Sequence, residues 1–544
     1  MMRRLRRRSV LALRPGVFLL STLLLAAPQV GAHANPDPGD GADKNASPQA
    51  GEQAGAQVAA EASSTNWPSF RGPGARGVLD GPELPDSIDG VDGSNLAWRV
   101  EIPGMAHASP VVWGDRIYIT SAVGQGPPQR FLAELPDSPE SVVDPTPHRW
   151  IVMALDKGSG EVLWERTATE GVPSTGRLRK GSFNNSTPAT DGEHVVALFG
   201  SQGLFCYDSE GSLLWQQDLG VLDAGWFFDP TFQWGTASSP IIWEGKVIVQ
   251  ADVHGGSFIA AFDLADGREL WRTPRDEVSS WSTPTVAVSM GQAEIITNGG
   301  RAIRAYDPGS GEQLWSLSPS SEIAVPTPIV AADLIFVGSG YLPTQPFYAV
   351  RPGGRGDISL QGNRRAGGQI AWSVTDAGPL IGTPIVVGDY LYLLGRDGTV
   401  HCFDVATGIP IFSEKIGGDD EETEVVADEA TPAEGGAAVQ AGGAAAQAGG
   451  GGAQTGGEAG QAAGEATPAA AEPAPVVTYT ASPVASNGKL YFITDMGEVH
   501  VVDAGPFLRV EATHRIGEAV FATPAISEGM LIVRGQRHLF AFSR

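Results

Sequence analysis

Two polar-aromatic stretches carry the residue types best suited to binding chemistry: Gly225-Trp-Phe-Phe-Asp-Pro-Thr-Phe-Gln-Trp-Gly-Thr236 and Arg275-Asp-Glu-Val-Ser-Ser-Trp281. They supply Trp226, Asp229, Trp234, Asp276, Glu277 and Trp281. Aromatic faces attract cations and apolar ring faces, and carboxylates beside them fix polar groups, so the set suits a sugar, a peptide or a cationic group. His107, just before a Ser-Pro pair, and Asn185 join these candidates. The competing reading has the tryptophans packing between structural units, the acids capping turns and His107 acting as a plain hydrogen-bonding residue. No catalytic residue is assigned. The chain has no Gly-x-Ser-x-Gly, no Walker loop, no Cys-x-x-Cys-His and no zinc-ligand spacing.

What must position these residues is a repeat. Ser/Thr-Pro pairs occur at Ser109, Thr187, Ser239, Thr283, Thr327, Thr383, Ser482 and Thr523. After most of them come an apolar run, a Gly or Asp turn and an alternating strand such as Tyr390-Leu-Tyr-Leu-Leu394. A third run ends in Asp, and a Gly then precedes an aromatic by four residues, as in Gly160 and Trp164 or Gly267 and Trp271. Alternation gives strands with a buried face, Asp and Gly give tight turns, and the Trp offers a large apolar surface to the next unit. Four short strands in roughly 40–50 residues make one propeller blade.

The expected fold is therefore all-β: an eight-bladed β-propeller of four-stranded antiparallel blades. The eighth unit, from Thr523, runs out before its outer strand, whereas Asn95-Leu-Ala-Trp98-Arg-Val-Glu-Ile102 lies upstream without a blade of its own. The N-terminal strand is expected to complete the last blade, leaving no frayed seam. The seventh unit is the weakest, because Asp503-Ala-Gly505-Pro-Phe507 lacks the Trp. Both polar-aromatic stretches precede an innermost strand. In a ring, such linkers line one end of the central channel, so neighbouring units three and four would set the candidates on one rim.

Composition bounds the rest. Residues 1–34 read as a cleaved export signal, with Arg3 to Arg8 as the basic start, Val17 to Ala27 as the apolar core and Ala32-His-Ala34 at the cleavage site. The apolar run is short for a membrane span, and either general or twin-arginine export fits it. The 544-residue chain carries −26; without the six arginines of the signal, 30 basic residues face 62 acids, or −32. That excludes binding nucleic acid or anionic lipid through a basic surface. Residues 35–65 and 417–477, rich in Gly and Ala, are too poor in large apolar side chains to fold alone. They are expected as a linker and as an insert between units six and seven. The propeller then spans 66–544. Cys206 and Cys402 sit in units two and six, too far apart to pair, and read as buried strand thiols.

The Ala-x-Asp-x-x-Thr-Gly-x-x-x-Trp repeat resembles that of the quinoprotein, or pyrroloquinoline-quinone (PQQ)-type, propellers. Asn66-Trp-Pro-Ser-Phe-Arg-Gly-Pro-Gly74, Arg275-Asp-Glu277 and Arg351-Pro-Gly-Gly-Arg-Gly-Asp357 resemble an exported, BamB-like branch of that family. The resemblance implies either a PQQ-dependent alcohol dehydrogenase or a non-enzymatic envelope scaffold. For a dehydrogenase it implies a Trp floor, a ceiling disulfide between adjacent cysteines, a Ca²⁺ shell of Glu, Asn and Asp oxygens, and an Asp base. This chain lacks adjacent cysteines, and its candidate calcium oxygens (Asn184, Asn185, Asp229, Asp276) follow no fixed motif. No cofactor is therefore expected; PQQ with calcium belongs only to the alternative reading. The expectation is an exported, periplasmic, monomeric binding scaffold, with an envelope protein or an extended peptide as partner. A sugar- or peptide-binding propeller is a further alternative.

Overall fold

The computed structural model describes residues 65–126, 129–134, 137–417 and 477–544. The expected signal, almost all of the linker and almost all of the insert lie outside the described residues. The rest is a ring of eight antiparallel blades. Blades one to seven fall at 111–171, 189–217, 241–274, 285–317, 329–374, 385–415 and 484–515. Blade eight joins Ala525–Ser527, Met530–Arg534 and His538–Phe542 to Leu96–Glu101, so the N-terminal strand does complete it. Its register sets Trp98 opposite Ala541.

The Ser/Thr-Pro pairs have a structural purpose that follows from their position. Each Ser/Thr N–H lies just ahead of the first strand of its blade, outside the ladder, and it turns sideways instead. Ser109 N donates to Thr187 Oγ1 at 2.9 Å, Thr187 N to Ser239 Oγ at 3.0 Å and Ser239 N to Thr283 Oγ1 at 3.0 Å. The relay continues through Thr327, Thr383 and Ser482 to Thr523. These groups are buried, so each bond satisfies a main-chain donor that has no water.

The repeat tryptophans couple the blades farther out. Trp98 Nε1 donates to Lys157 O, Trp164 to Ser209 O, Trp215 to Leu264 O, Trp271 to Pro308 O and Trp372 to Val405 O, each bond reaching the next blade. The indoles lie over glycines of that blade. A Cβ at Gly160, Gly211, Gly267, Gly311 or Gly408 would come within 2.4–2.7 Å of the ring, and these glycines have φ of +69 to +81°. Where the pattern lapses, the chain substitutes. Phe412 has no N–H, and in blade six the Tyr392 hydroxyl donates to Gly505 O and accepts from Gly505 N, reaching blade seven. In blade four, Trp315 donates to Glu294 within its own sheet, and Gly356–Asp357 of the Arg351–Asp357 motif adds a parallel fifth strand over that edge.

Removing Trp98 takes away the indole that closes the ring. Trp98→Ala is expected to cost about 3–5 kcal/mol, as for other buried Trp truncations; a urea midpoint close to wild type would show that the seam does not depend on it. Thr283→Val deletes the acceptor of the buried Ser239 N–H and is expected to cost about 1–3 kcal/mol in the same measurement.

Candidate functional site

A loop of blade one crosses the end of the channel onto which the linkers into the inner strands open. Residues 125–147 join Arg116–Gly124 to His148–Asp156, and their described parts reach round the ring. Phe131 N donates to Gln536 Oε1, Trp234 Nε1 to Pro139 O at 2.7 Å, and Arg179 N to Glu140 O. Asp137 reaches farthest. Its carboxylate accepts from Arg396 Nε and Nη2 of blade six at 2.5 and 2.7 Å, and pairs at 2.9 Å with Lys180 Nζ from the linker into blade two. Burial pushes the Asp137 carboxyl up, but the Arg396 bonds and charge, then those of Lys180, outweigh it and hold the pKa at about 2.

Beneath this loop the side chains pack closely, with His107 Nε2, Arg177 Nε and Asn184 Oδ1 buried without a partner among the described residues. His107 lies parallel to Phe521 at 4.9 Å between ring centroids and tilts against Phe131 at 4.8 Å. Arg534, buried, donates to Thr120 O and Ser121 Oγ, and desolvation lowers its pKa to about 10. Arg177 donates to three main-chain carbonyls and to Gln129. A space of about 30 Å³ among Arg177, Asn184 and Asn185 has room for one water.

The sequence candidates divide between these contacts. Trp234 and Trp281 meet at 5.6 Å, with Trp281 Nε1 donating to Gly235 O. Asn185 sits beside them, donating to Thr236 O and accepting from Ser182 Oγ. Trp226 packs edge-on against Phe228 and Phe232 in a hairpin bridged by Gly225 and Gln233. Asp229 caps that hairpin's turn through Thr231 N and Oγ1. Asp276 pairs with exposed Arg301. Buried Glu277 accepts from Arg301 N, Ala302 N and the Arg304 guanidinium, which commits both of its oxygens to a turn of blade four. Next to it Arg275 and Asp252 form a fully buried ion pair at 2.6 Å, closed by Ser280, Gln250, Thr297 and Tyr306. Asp137, Lys180, Arg396 and Arg534 were missed by sequence reasoning because none belongs to an aromatic cluster. The only signal for Asp137 is the extra length of blade one.

The opposite end of the channel is crossed by the Asn66–Gly74 segment. Trp67 pairs with Val112 of blade one, Thr190 N of blade two donates to Pro68 O, and Val78 and Leu79 reach Ala485 of blade seven. Arg71, fully buried, donates to Pro384 O, Pro483 O, Ala75 O and Arg76 O; desolvation lowers its pKa to about 9. A cavity of about 520 Å³ remains between this segment and blades one to five, walled by Phe70, Trp113, Trp243 and aliphatic side chains.

Burial and then the Arg177 charge lower the His107 pKa from 6.5 to about 3, so the folded protein holds it neutral. The unfolded chain takes up a proton near pH 6.5 that the folded chain refuses, and the stability this His provides is lost as pH falls from 6.5 towards 3. The stability gap between wild type and His107→Gln should therefore shrink between pH 7 and pH 4 in parallel thermal melts; a constant gap would mean that His107 titrates in the fold as it does in the unfolded chain.

Among solved structures, a quinohemoprotein alcohol dehydrogenase from Comamonas testosteroni superposes with a TM-score of 0.54 at 12% identity, covering 91% of this chain and 84% of that one. A second quinohemoprotein alcohol dehydrogenase, from Pseudomonas putida HK5, gives 0.50 at 10% identity over 90% and 81%. BamB from Moraxella catarrhalis gives 0.44 at 13% identity over 78% and 98%. The two dehydrogenase likenesses establish the fold alone. No curated protein matches. A family model described as outer membrane protein assembly factor BamB matches residues 148–354 and 302–544, and the chain belongs to that PQQ-type, BamB-like propeller family.

Proposed function

We propose that this protein is an exported, non-catalytic propeller that acts as a binding or assembly scaffold in the cell envelope. The observation that carries this reading is that polar side chains at the channel mouth are spent on one another: Glu277 on blade four, Arg275 on Asp252, and Asp137 on Lys180 and Arg396. Family membership supports it. No helix among the described residues is long and apolar enough to cross a membrane.

The residues of the mouth do not fit a PQQ and calcium site. Cys206 and Cys402 are buried free thiols in separate blades and cannot form a ceiling over a cofactor. Asn185, Asp229 and Asp276 each turn to a different local partner, and among the described residues no group of three or more His, Cys, Asp or Glu could hold a metal. No catalytic step is derived for such a cofactor.

A scaffold needs surfaces, and the outer strands provide them. Leu213 and Leu214 on blade two and Val162 and Leu163 on blade one are exposed beside sheet edges. An extended segment of an envelope protein can add to such an edge, with main-chain bonds supplying affinity and the apolar side chains selecting the register. Blade four differs, since Gly356–Asp357 already lies on its edge.

Two measurements test the reading together. Protein mixed with PQQ and Ca²⁺ and then desalted should retain no quinone absorbance and reduce no dye with alcohol. Immobilised protein should capture an envelope protein saturably, and Leu213→Asp with Leu214→Asp should weaken capture at least about tenfold without lowering the melting temperature. Stoichiometric quinone retention that is lost in Trp281→Ala would replace the scaffold by a dehydrogenase.

A further inference from the structure

In a chain of net charge −26, the channel mouth gathers Arg177, Lys180, Arg396 and Arg534. Their burial is uneven in an informative way. Lys180 and Arg396 side chains keep 8% and 13% of their surface, whereas the Asp137 side chain that joins them keeps 52%. The two cations therefore form a floor, and the carboxylate comes down on it from the solvent side.

The floor is built partly without the loop. Arg396 is held by Tyr479 O, Thr480 Oγ1 and the buried Asp495 carboxylate. Lys180 is different: among the described residues Asp137 is its ion-pair partner and its Nζ has no other acceptor. A buried ammonium without an acceptor is costly, so the site calls for an anion whenever the loop lifts. Arg396 presents Nε and Nη2 side by side, the fork that fits both oxygens of one carboxylate.

We propose that Lys180 and Arg396 form a carboxylate-binding site at the mouth of the channel, and that Asp137 occupies it as an internal stand-in which an external carboxylate displaces, lifting the blade-one loop. The ligand chemistry is a carboxylate, from a free small dicarboxylate or from an acidic side chain of a peptide. The inference does not depend on the scaffold reading, because the site would take either ligand in a protein of any activity.

An internal occupant lowers apparent affinity by the fraction of time that the site is open. If the latch is closed about nine-tenths of the time, removing it tightens binding about tenfold. The test is calorimetric titration of the full chain with malonate, with an end-blocked Asp-containing pentapeptide, and with its Asn counterpart. Asp137→Asn should bind malonate or the Asp peptide about tenfold more tightly than wild type, and Asp137→Asn with Arg396→Gln should lose that gain. Malonate binding without peptide binding identifies a small-molecule site; binding of the Asp peptide but not its Asn counterpart identifies an acidic side chain. Hydrogen exchange on wild type gives a second readout that needs no variant: amides of residues 137–147 should exchange faster at saturating malonate. Equal affinities of wild type and Asp137→Asn, or a gain that survives Arg396→Gln, would overturn the proposal. So would unchanged loop exchange at saturating malonate, which also decides the matter if Asp137→Asn does not fold.

Discussion

The sideways hydrogen bond from each Ser/Thr N–H to the hydroxyl of the next blade is the constraint on which the rest of the structure depends. It fixes how closely neighbouring innermost strands approach, and so the width of the channel and the position of every linker that opens onto it. The relay runs from Ser109 to Thr523 and stops there: Ser109 Oγ is buried without a partner among the described residues. At that one seam other contacts take over. Arg534 reaches from blade eight to Thr120 and Ser121 of blade one, and Lys157 reaches back to Glu528 at 2.8 Å, beside the Trp98 bond to Lys157 O. The seam where the chain must close on itself is thus held by charged and aromatic side chains. The other seven are held by a repeated hydroxyl.

That division explains what was legible in the sequence. A blade repeats because each one solves the same local problem, and the solution uses few residue types: Ser or Thr before Pro for the sideways bond, Asp and Gly for the turn, Trp for the next blade. Eight units and the crossover of residues 96–101 could be read from these alone. The weak seventh unit was visible as a missing Trp; how blade six, with Phe412 in the Trp place, reaches that unit was not. Tyr392 looks like an ordinary alternating strand residue until Gly505 is placed against its hydroxyl.

The candidate site was less legible, for a physical reason. Sequence reasoning set Trp234, Trp281 and Asn185 among the rim candidates; in the structure the two indoles meet, and Asn185 bonds to Thr236 O. It could not see that Glu277 would be consumed by Arg304, because that pairing depends on how blade four turns at residues 299–302. Nor could it see the two crossings of the channel. Their contacts join residues hundreds apart, such as Arg71 with Pro483 and Asp137 with Arg396, and obey no period. The Asn66–Gly74 motif was recognisable as a motif, yet its role rests on where Arg71 ends, which only the closed ring defines.

The two crossings also account for the distribution of charge. Strands that begin and end at the channel leave carbonyl oxygens pointing at its mouths, and a buried carbonyl needs a donor. Arginine meets several carbonyls at once with five N–H groups, as Arg71 does at Pro384, Pro483, Ala75 and Arg76. The demand for donors thus draws cations to the axis of a protein whose remaining surface is acidic. Once there, their charge is only partly answered: Arg71 and Arg534 donate to carbonyls and a hydroxyl, and burial lowers both pKa values, to about 9 and about 10. An acidic exterior repels anions in general, while an axis that is cationic for structural reasons attracts one that can reach it. Selectivity for a ligand at the mouth then comes from access rather than from added binding groups, and access is what the blade-one loop controls.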